Sequence, residues 1–134
     1  MVSARDVMTT ELTTVSPSTT VAEAATLMAS RHIGSAIVCE EEELVGIFTE
    51  RDIVKALSQD FDAPSEPIEH WMTRQPTTVS PGANVRECLD IMVNRGFRHL
   101  PVTEESKVVG IVSIRDLSRA LAAGAGGEPR EPQP

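Results

Sequence analysis

Thr14-Val15-Ser16-Pro17 returns, 64 residues on, as Thr78-Val79-Ser80-Pro81. The echo runs outward in both directions without an insertion. Met8-Thr9 matches Met72-Thr73, Val45-Gly46-Ile47 matches Val109-Gly110-Ile111, and Arg51-Asp52 matches Arg115-Asp116. Residues 8–57 are thus written again as residues 72–121. Self-similarity at a fixed period makes the repeat the structural unit. Each copy is too short to enclose a good core alone, so the two are expected to bury one shared face and act as one domain.

Every repeat reads in the same order. A lead-in with Val7-Met8, or Trp71-Met72, comes before a short extended stretch at Thr13-Thr14-Val15, or Thr77-Thr78-Val79. Pro17 and Pro81 hold the serine before them extended and end that stretch. A helix follows, because Thr20 with Glu23, and Asn84 with Glu87, have the spacing of an N-cap and its partner. Val21, Ala24, Ala25 and Met28 then make one apolar stripe, repeated by Val85, Cys88, Leu89 and Met92. Two strands are expected at 35–39 and 44–49, and again at 100–103 and 107–113, each pair joined by an acidic, solvated turn. Second helices are expected at 51–58 and 115–122. The order is β-α-β-β-α, twice, in an α+β fold with an approximate internal twofold and clefts where the copies meet. The repeats take residues 1–60 and 71–122. Residues 61–70 read as a linker, and 123–134 as a disordered tail rich in glycine, proline and charge.

Composition narrows the function classes. Apolar residues make up 40% of the chain, but the aromatics are only Phe48, Phe61, Phe97 and Trp71, so the core must be aliphatic. No apolar run reaches the roughly 18–20 residues of a membrane span, and Arg5, Asp6 and Glu11 interrupt any signal-peptide core. The chain reads as cytoplasmic. A net charge of −8 leaves no dense basic face for phosphate neutralisation, which argues against a nucleic-acid partner. Cys39 aligns with Thr103 and Cys88 with Ala24, so neither cysteine is a repeated feature; both read as small core residues. Met28 and Met92 read as core filling. His32, His70 and His99 are scattered, with no metal spacing.

The strongest chemical signal is Gly46-Ile47-Phe48-Thr49-Glu50-Arg51-Asp52, echoed by Gly110-Ile111-Val112-Ser113-Ile114-Arg115-Asp116. It runs off a strand into a helix N-terminus. One reading is structural: Thr49 or Ser113 caps the helix, with Asp52 or Asp116 at its third position. That leaves Gly46 and Gly110 unexplained, since glycine inside a β-branched strand weakens it unless another group comes close. The other reading uses every piece. Glycine leaves room for a flat ligand, the aspartate accepts hydrogen bonds from a ribose diol, and the hydroxyl and helix amides face a phosphate. One hydroxyl can serve both.

Two units of this order, each with a Val-Ser-Pro start and a Gly-x-x-Thr/Ser-x-x-Asp end, resemble a tandem cystathionine-β-synthase (CBS) domain pair, or Bateman module. The resemblance covers about residues 7–121, and duplication at constant spacing makes it specific. It implies adenosine-containing ligands, namely AMP, ADP, ATP or S-adenosylmethionine, held in clefts between the copies. No cofactor is required. By position, Asp52 and Asp116 would hold ribose hydroxyls, and Thr49 and Ser113 would sit near ribose or phosphate. Backbone around Thr14-Val15 and Thr78-Val79 would meet the adenine edge. Gly34-Ser35-Ala36 and Arg98-His99-Leu100 would line the wall.

The two sites are not expected to be equal. Gly34-Ser35 stands in the first repeat where the second has Arg98-His99, whereas Arg51 and Arg115 match. The site with Arg98 and His99 is therefore expected to prefer phosphorylated ligands, and the other to be roomier and less charged. Arg31 and Arg95, near the end of the first helix of each repeat, are read as favouring its negative C-terminal end. No catalytic triad, Walker loop or metal motif recurs. The expected function is a non-catalytic regulatory module, paired into a homodimer as the resemblance implies and signalling to an effector protein of unknown identity. The alternative is a constitutive scaffold whose clefts are filled by side chains.

Overall fold

Residues 2–123 are described by the computed structural model; the expected tail lies outside them from residue 124 on. The elements are α1 (Ala4–Val7), β1 (Thr14–Val15), α2 (Val21–Ser30), β2 (Ser35–Glu40), β3 (Glu43–Thr49), α3 (Glu50–Gln59), β4 (Thr73–Arg74), α4 (Val85–Arg95), β5 (His99–Glu104), β6 (Lys107–Ser113) and α5 (Ile114–Ala122). Two 3-10 turns, Ala63–Ser65 and Ile68–His70, lie between α3 and β4. Strands and helices fall within a residue or so of the expected bounds, except that Thr77–Val79 forms no strand and only Val79 makes a single bridge, to Val102.

The compact units are not cut where the repeats are. One unit is Leu12–Pro76; the other, among the described residues, joins residues 2–11 to residues 77–123. Each lead-in therefore packs with the repeat it does not precede. The stretch expected to be a plain linker belongs to the first-repeat unit, where Ala63 and Ile68 are fully buried. A hydrogen bond from Ile68 N to Thr19 O (2.8 Å) and one from Val21 N to Glu66 O (2.9 Å) fasten it across the start of α2. The second-repeat unit repeats this arrangement with the N-terminal segment: Ala4 N donates to Ala83 O (2.7 Å), and Val85 N to Val2 O (3.3 Å). Both units close a core of their own. One gathers Val21, Ala24, Met28, Val38, Phe48, Ile68 and Met72; the other gathers Ala4, Val85, Cys88, Met92, Val102, Val112 and Leu117. Cys88 is a core residue, as its apolar stripe implied.

In the first-repeat unit the sheet order is β1-β2-β3-β4, with β1 parallel to β2 and the other neighbours antiparallel. In the second-repeat unit β5 and β6 pair antiparallel, flanked by single bridges from Val79 to Val102 and from Thr9 to Ile111. Matched bulges fall between Val38 and Cys39 and between Val102 and Thr103. The acidic turns are exposed hairpin tips. Glu41 and Glu42, like Glu105 and Ser106, take left-handed backbone, as a two-residue turn that follows the strand twist requires.

The strand glycines acquire a reason here that differs from room for a ligand. A Cβ on Gly46 would stand 2.8 Å from both the Met72 sulfur and the Thr73 carbonyl oxygen. On Gly110 it would run into the Met8 side chain. The bare backbone is what lets each lead-in lie against the sheet of the other repeat. Since the Thr73 carbonyl cannot swing aside while a methionine can, the two positions differ in tolerance. Gly46→Ala is expected to destabilise by about 1–3 kcal/mol, the usual cost of overpacking a core, and Gly110→Ala by less; urea denaturation of the two variants measures the difference.

Candidate functional site

The sequence puts a hydroxyl and an aspartate at the strand-to-helix junction of each repeat, and the structure joins them in a capping box. Thr49 N donates to Asp52 Oδ2 (2.8 Å), Thr49 Oγ1 bonds the same oxygen (3.1 Å), and Asp52 N donates to Thr49 Oγ1 (3.4 Å). In the second repeat Ser113 N donates to Asp116 Oδ2 (3.1 Å) and Asp116 N to Ser113 Oγ (3.1 Å). The structural reading of the motif thus holds in both copies. Oδ1 of each carboxylate takes no part in the cap, so the cap and a ligand do not compete for the same oxygen.

Burial pushes the Asp52 carboxyl above its ordinary value, against the opposing pull of the Thr49 amide and hydroxyl and of Lys55 and Arg51. The folded state therefore holds this proton to higher pH than the unfolded chain does. Its contribution to stability is complete below the unfolded value near 3.8 and is lost as pH rises through the folded one. Asp52→Asn should remove that fall, so the pH dependence of urea unfolding, measured upward from about pH 4, becomes flatter than in the parent protein.

Around the first cap the sheet brings further residues together. Ser35, on β2, is the register partner of Thr49 on β3, and Glu50 N donates to Gly34 O (3.1 Å). Thr14 and Val15 flank the other edge of β2, paired with Ile37 and Val38. The second repeat matches this: His99 pairs with Ser113, Ile114 N donates to Arg98 O (2.8 Å), and Val79 bridges Val102 on the far side of β5. Arg98 and Arg115 are exposed and His99 is half-buried, at the end of β5 and the start of α5. Thr14 and Thr78 are exposed, and Arg51 is exposed on the first turn of α3.

Several residues sit apart from this gathering. Gly46 pairs with Val38, three positions back along β3 from Thr49, or about 10 Å at the rise of a strand. Gly110 is placed likewise on β6, opposite Val102. The side chains of Ala36, Val79 and Leu100 are buried, Leu100 completely; only their backbone could face a ligand, since the core has taken the rest.

Arg31 stands at the C-cap of α2 and Arg95 in the last turn of α4, where a cation meets the helix's negative end, and each arginine has a second contact. Arg31 Nη1 donates to the hydroxyl of Thr13 at 2.9 Å, and Thr13 is only 7% exposed. Arg95 makes the matching reach to Thr77 at 3.5 Å. The signal was present in the sequence, since an arginine and a threonine 18 residues apart recur together in both copies. Among the described residues no group of histidine, cysteine or carboxylate side chains could hold a metal ion, and no helix is long and apolar enough to cross a membrane.

The family model of the CBS domain matches this chain twice, over residues 4–59 and 68–123. The chain belongs to the CBS domain family. A relative at 48% identity, an uncharacterised 17.7 kDa protein of Acidianus ambivalens, aligns over 86% of this chain and 70% of its own length. The CBS domain-containing protein YhcV of Bacillus subtilis is 34% identical over 88% of this chain and 84% of its own. Among solved structures, the CBS-domain containing protein ATU1752 from Agrobacterium tumefaciens superposes with a TM-score of 0.86 at 29% identity, covering 90% of this chain and 99% of that one. The CBS domain pair of protein MJ0100, solved with 5-methylthioadenosine and S-adenosyl-L-methionine, gives 0.85 at 29% identity over 92% and 98%.

Proposed function

We propose that this CBS domain protein is a non-catalytic regulatory module that binds adenosine-containing ligands, one site per repeat, and passes their occupancy to a partner protein. One observation carries the reading. In each repeat an aspartate is locked at a helix N-terminus by its own cap through Oδ2 alone. The other oxygen is left out of the cap, as an acceptor for a ribose diol. A preorganised acceptor of this kind loses little freedom on binding. The ligands bound to the MJ0100 pair, whose fold matches, point to the same chemical class.

The second reading, a scaffold without nucleotide binding, draws on the glycines, whose bare faces are covered by Met72 and Met8. Thermal shift with AMP, ADP, ATP and S-adenosylmethionine separates the two. A ligand at 100 times its dissociation constant stabilises the fold by about 2.7 kcal/mol, and no shift with any of them leaves the scaffold standing.

The two sites differ in charge. Arg98 and His99 stand where the first repeat has Gly34 and Ser35, so the second site is the one suited to a phosphate. Arg98→Ala is expected to weaken calorimetric binding of AMP and ATP while leaving adenosine binding unchanged. Equal affinities before and after would remove the phosphate preference from the reading.

Homodimerisation is part of the proposal. Val54 and Leu57 are exposed one turn apart on α3, and Phe61 follows them fully exposed. Apolar side chains grouped in this way mark a surface for association. Native mass spectrometry of freshly purified protein reads the oligomer and any retained ligand together; a ligand-free monomer would contradict both parts.

A further inference from the structure

We infer that Arg31 is a positioning residue for base recognition in the first repeat, acting through Thr13 on the strand that meets the adenine. The inference rests on the adenosine reading above and extends it to which repeat discriminates the base.

β1 is only two residues long, Thr14 and Val15. A strand that short has little pairing of its own, so its exact placement depends on what fastens its ends. Two bonds converge on Thr13, directly before it. Ile37 N donates to the Thr13 carbonyl (2.9 Å), and the Arg31 guanidinium donates to the Thr13 hydroxyl (2.9 Å). The arginine leaves the last turn of α2, at its C-cap, so the clamp ties the strand to a helix that packs through Val21, Ala24 and Met28 into the core. Thr13 is almost wholly buried, and a buried hydroxyl bonded to a cation is held far more firmly than one facing water.

Neither clamp is reproduced at full strength in the second repeat. The residue that matches Ile37 is Pro101, which has no N–H and cannot return the bond to Thr77. The arginine contact lengthens to 3.5 Å, on a threonine that is less buried. Val79 still bonds β5 on both sides, through Val79 N to Pro101 O (3.1 Å) and Thr103 N to Val79 O (2.9 Å). The strand is therefore pinned after Thr78 and slack before it. Backbone groups that read a base must be fixed in position to tell one edge from another. The first repeat is accordingly the base-selective site, and the second tolerates exchange of the base.

Adenosine and inosine share a ribose and differ at the base edge, so their affinity ratio isolates this effect from ribose and phosphate contacts. The experiment is calorimetry with both nucleosides on the full chain carrying Asp116→Ala, which silences the second site, with and without Arg31→Met. Arg31→Met should weaken adenosine binding more than inosine binding and so shrink the adenosine-to-inosine ratio. Arg31→Lys, which keeps a donor, should recover part of the ratio and serves as the variant to read if Arg31→Met does not fold. An unchanged ratio overturns the inference, whether the affinities fall together or stay as they were. A parent protein that binds neither nucleoside removes the adenosine reading and this inference with it.

Discussion

Met72 lies on the bare backbone of Gly46, and Met8 on that of Gly110. These contacts fix where the lead-ins go, and the lead-ins complete the cores. A single repeat supplies one pair of long strands and two helices, too little to enclose a core of aliphatic side chains without further cover. In the first-repeat unit that cover is Ile68 and Met72; in the second it includes Ala4, which is as fully buried as Ile68. A side chain on Gly46 would push its lead-in off the strand, and one on Gly110 would make Met8 give way. The register between Gly46 and Arg74 would then be lost with it, whereas the bridge between Thr9 and Ile111 could persist as Met8 repacks.

The caps are the second constraint, and they show how one arrangement can hold a fold and a function together. The first turn of a helix leaves backbone amides without intrahelical partners. Asp52 and Asp116 turn back to accept from the residue before their helix, and the hydroxyl of that residue serves the opposite amide. Fixing a carboxylate in this way removes the rotamer entropy that a ligand would otherwise have to overcome. It also explains why the aspartate is legible from sequence under either reading: the cap alone would select it.

Much of the fold was written openly in the chain. The stripe of Val21, Ala24 and Met28 and the hairpins around the acidic turns are local patterns, and local patterns survive whatever the repeats do to one another. The Thr20–Glu23 capping box also formed as its spacing implied, with Thr20 N donating to Glu23 Oε1 at 2.9 Å. Its second copy differs in detail, because Asn84 caps by accepting from Arg86 N at 2.7 Å. What sequence could not disclose was the destination of the lead-ins. A constant offset says that Met8 and Met72 are equivalent, but it is silent on which glycine each one covers. Sequence therefore leaves room for a ligand at glycines whose bare faces the methionines cover. Arg31 sits at the helix end as expected, but its bond to Thr13 is a second role that sequence hides for a related reason. A cation at a helix C-terminus is explained so readily by the macrodipole that the buried threonine 18 residues before it went unweighed.

Duplication begins with two identical sites, and every departure from identity is then a choice between uses. Here the departures fall on opposite sides of the candidate pocket. In the first repeat the strand that would meet the base is tied down twice, through Ile37 and Arg31, while the neighbouring wall carries no charge at Gly34 and Ser35. In the second, proline removes one tie, distance weakens the other, and arginine and histidine take the wall instead. Rigid backbone distinguishes shapes, whereas an exposed cation gathers charge with little regard for shape. Two copies of one fold would in this way divide recognition of one class of molecule between them. On the proposed reading the first repeat would read the base and the second would sense phosphate, so their joint occupancy would carry information that neither site holds alone.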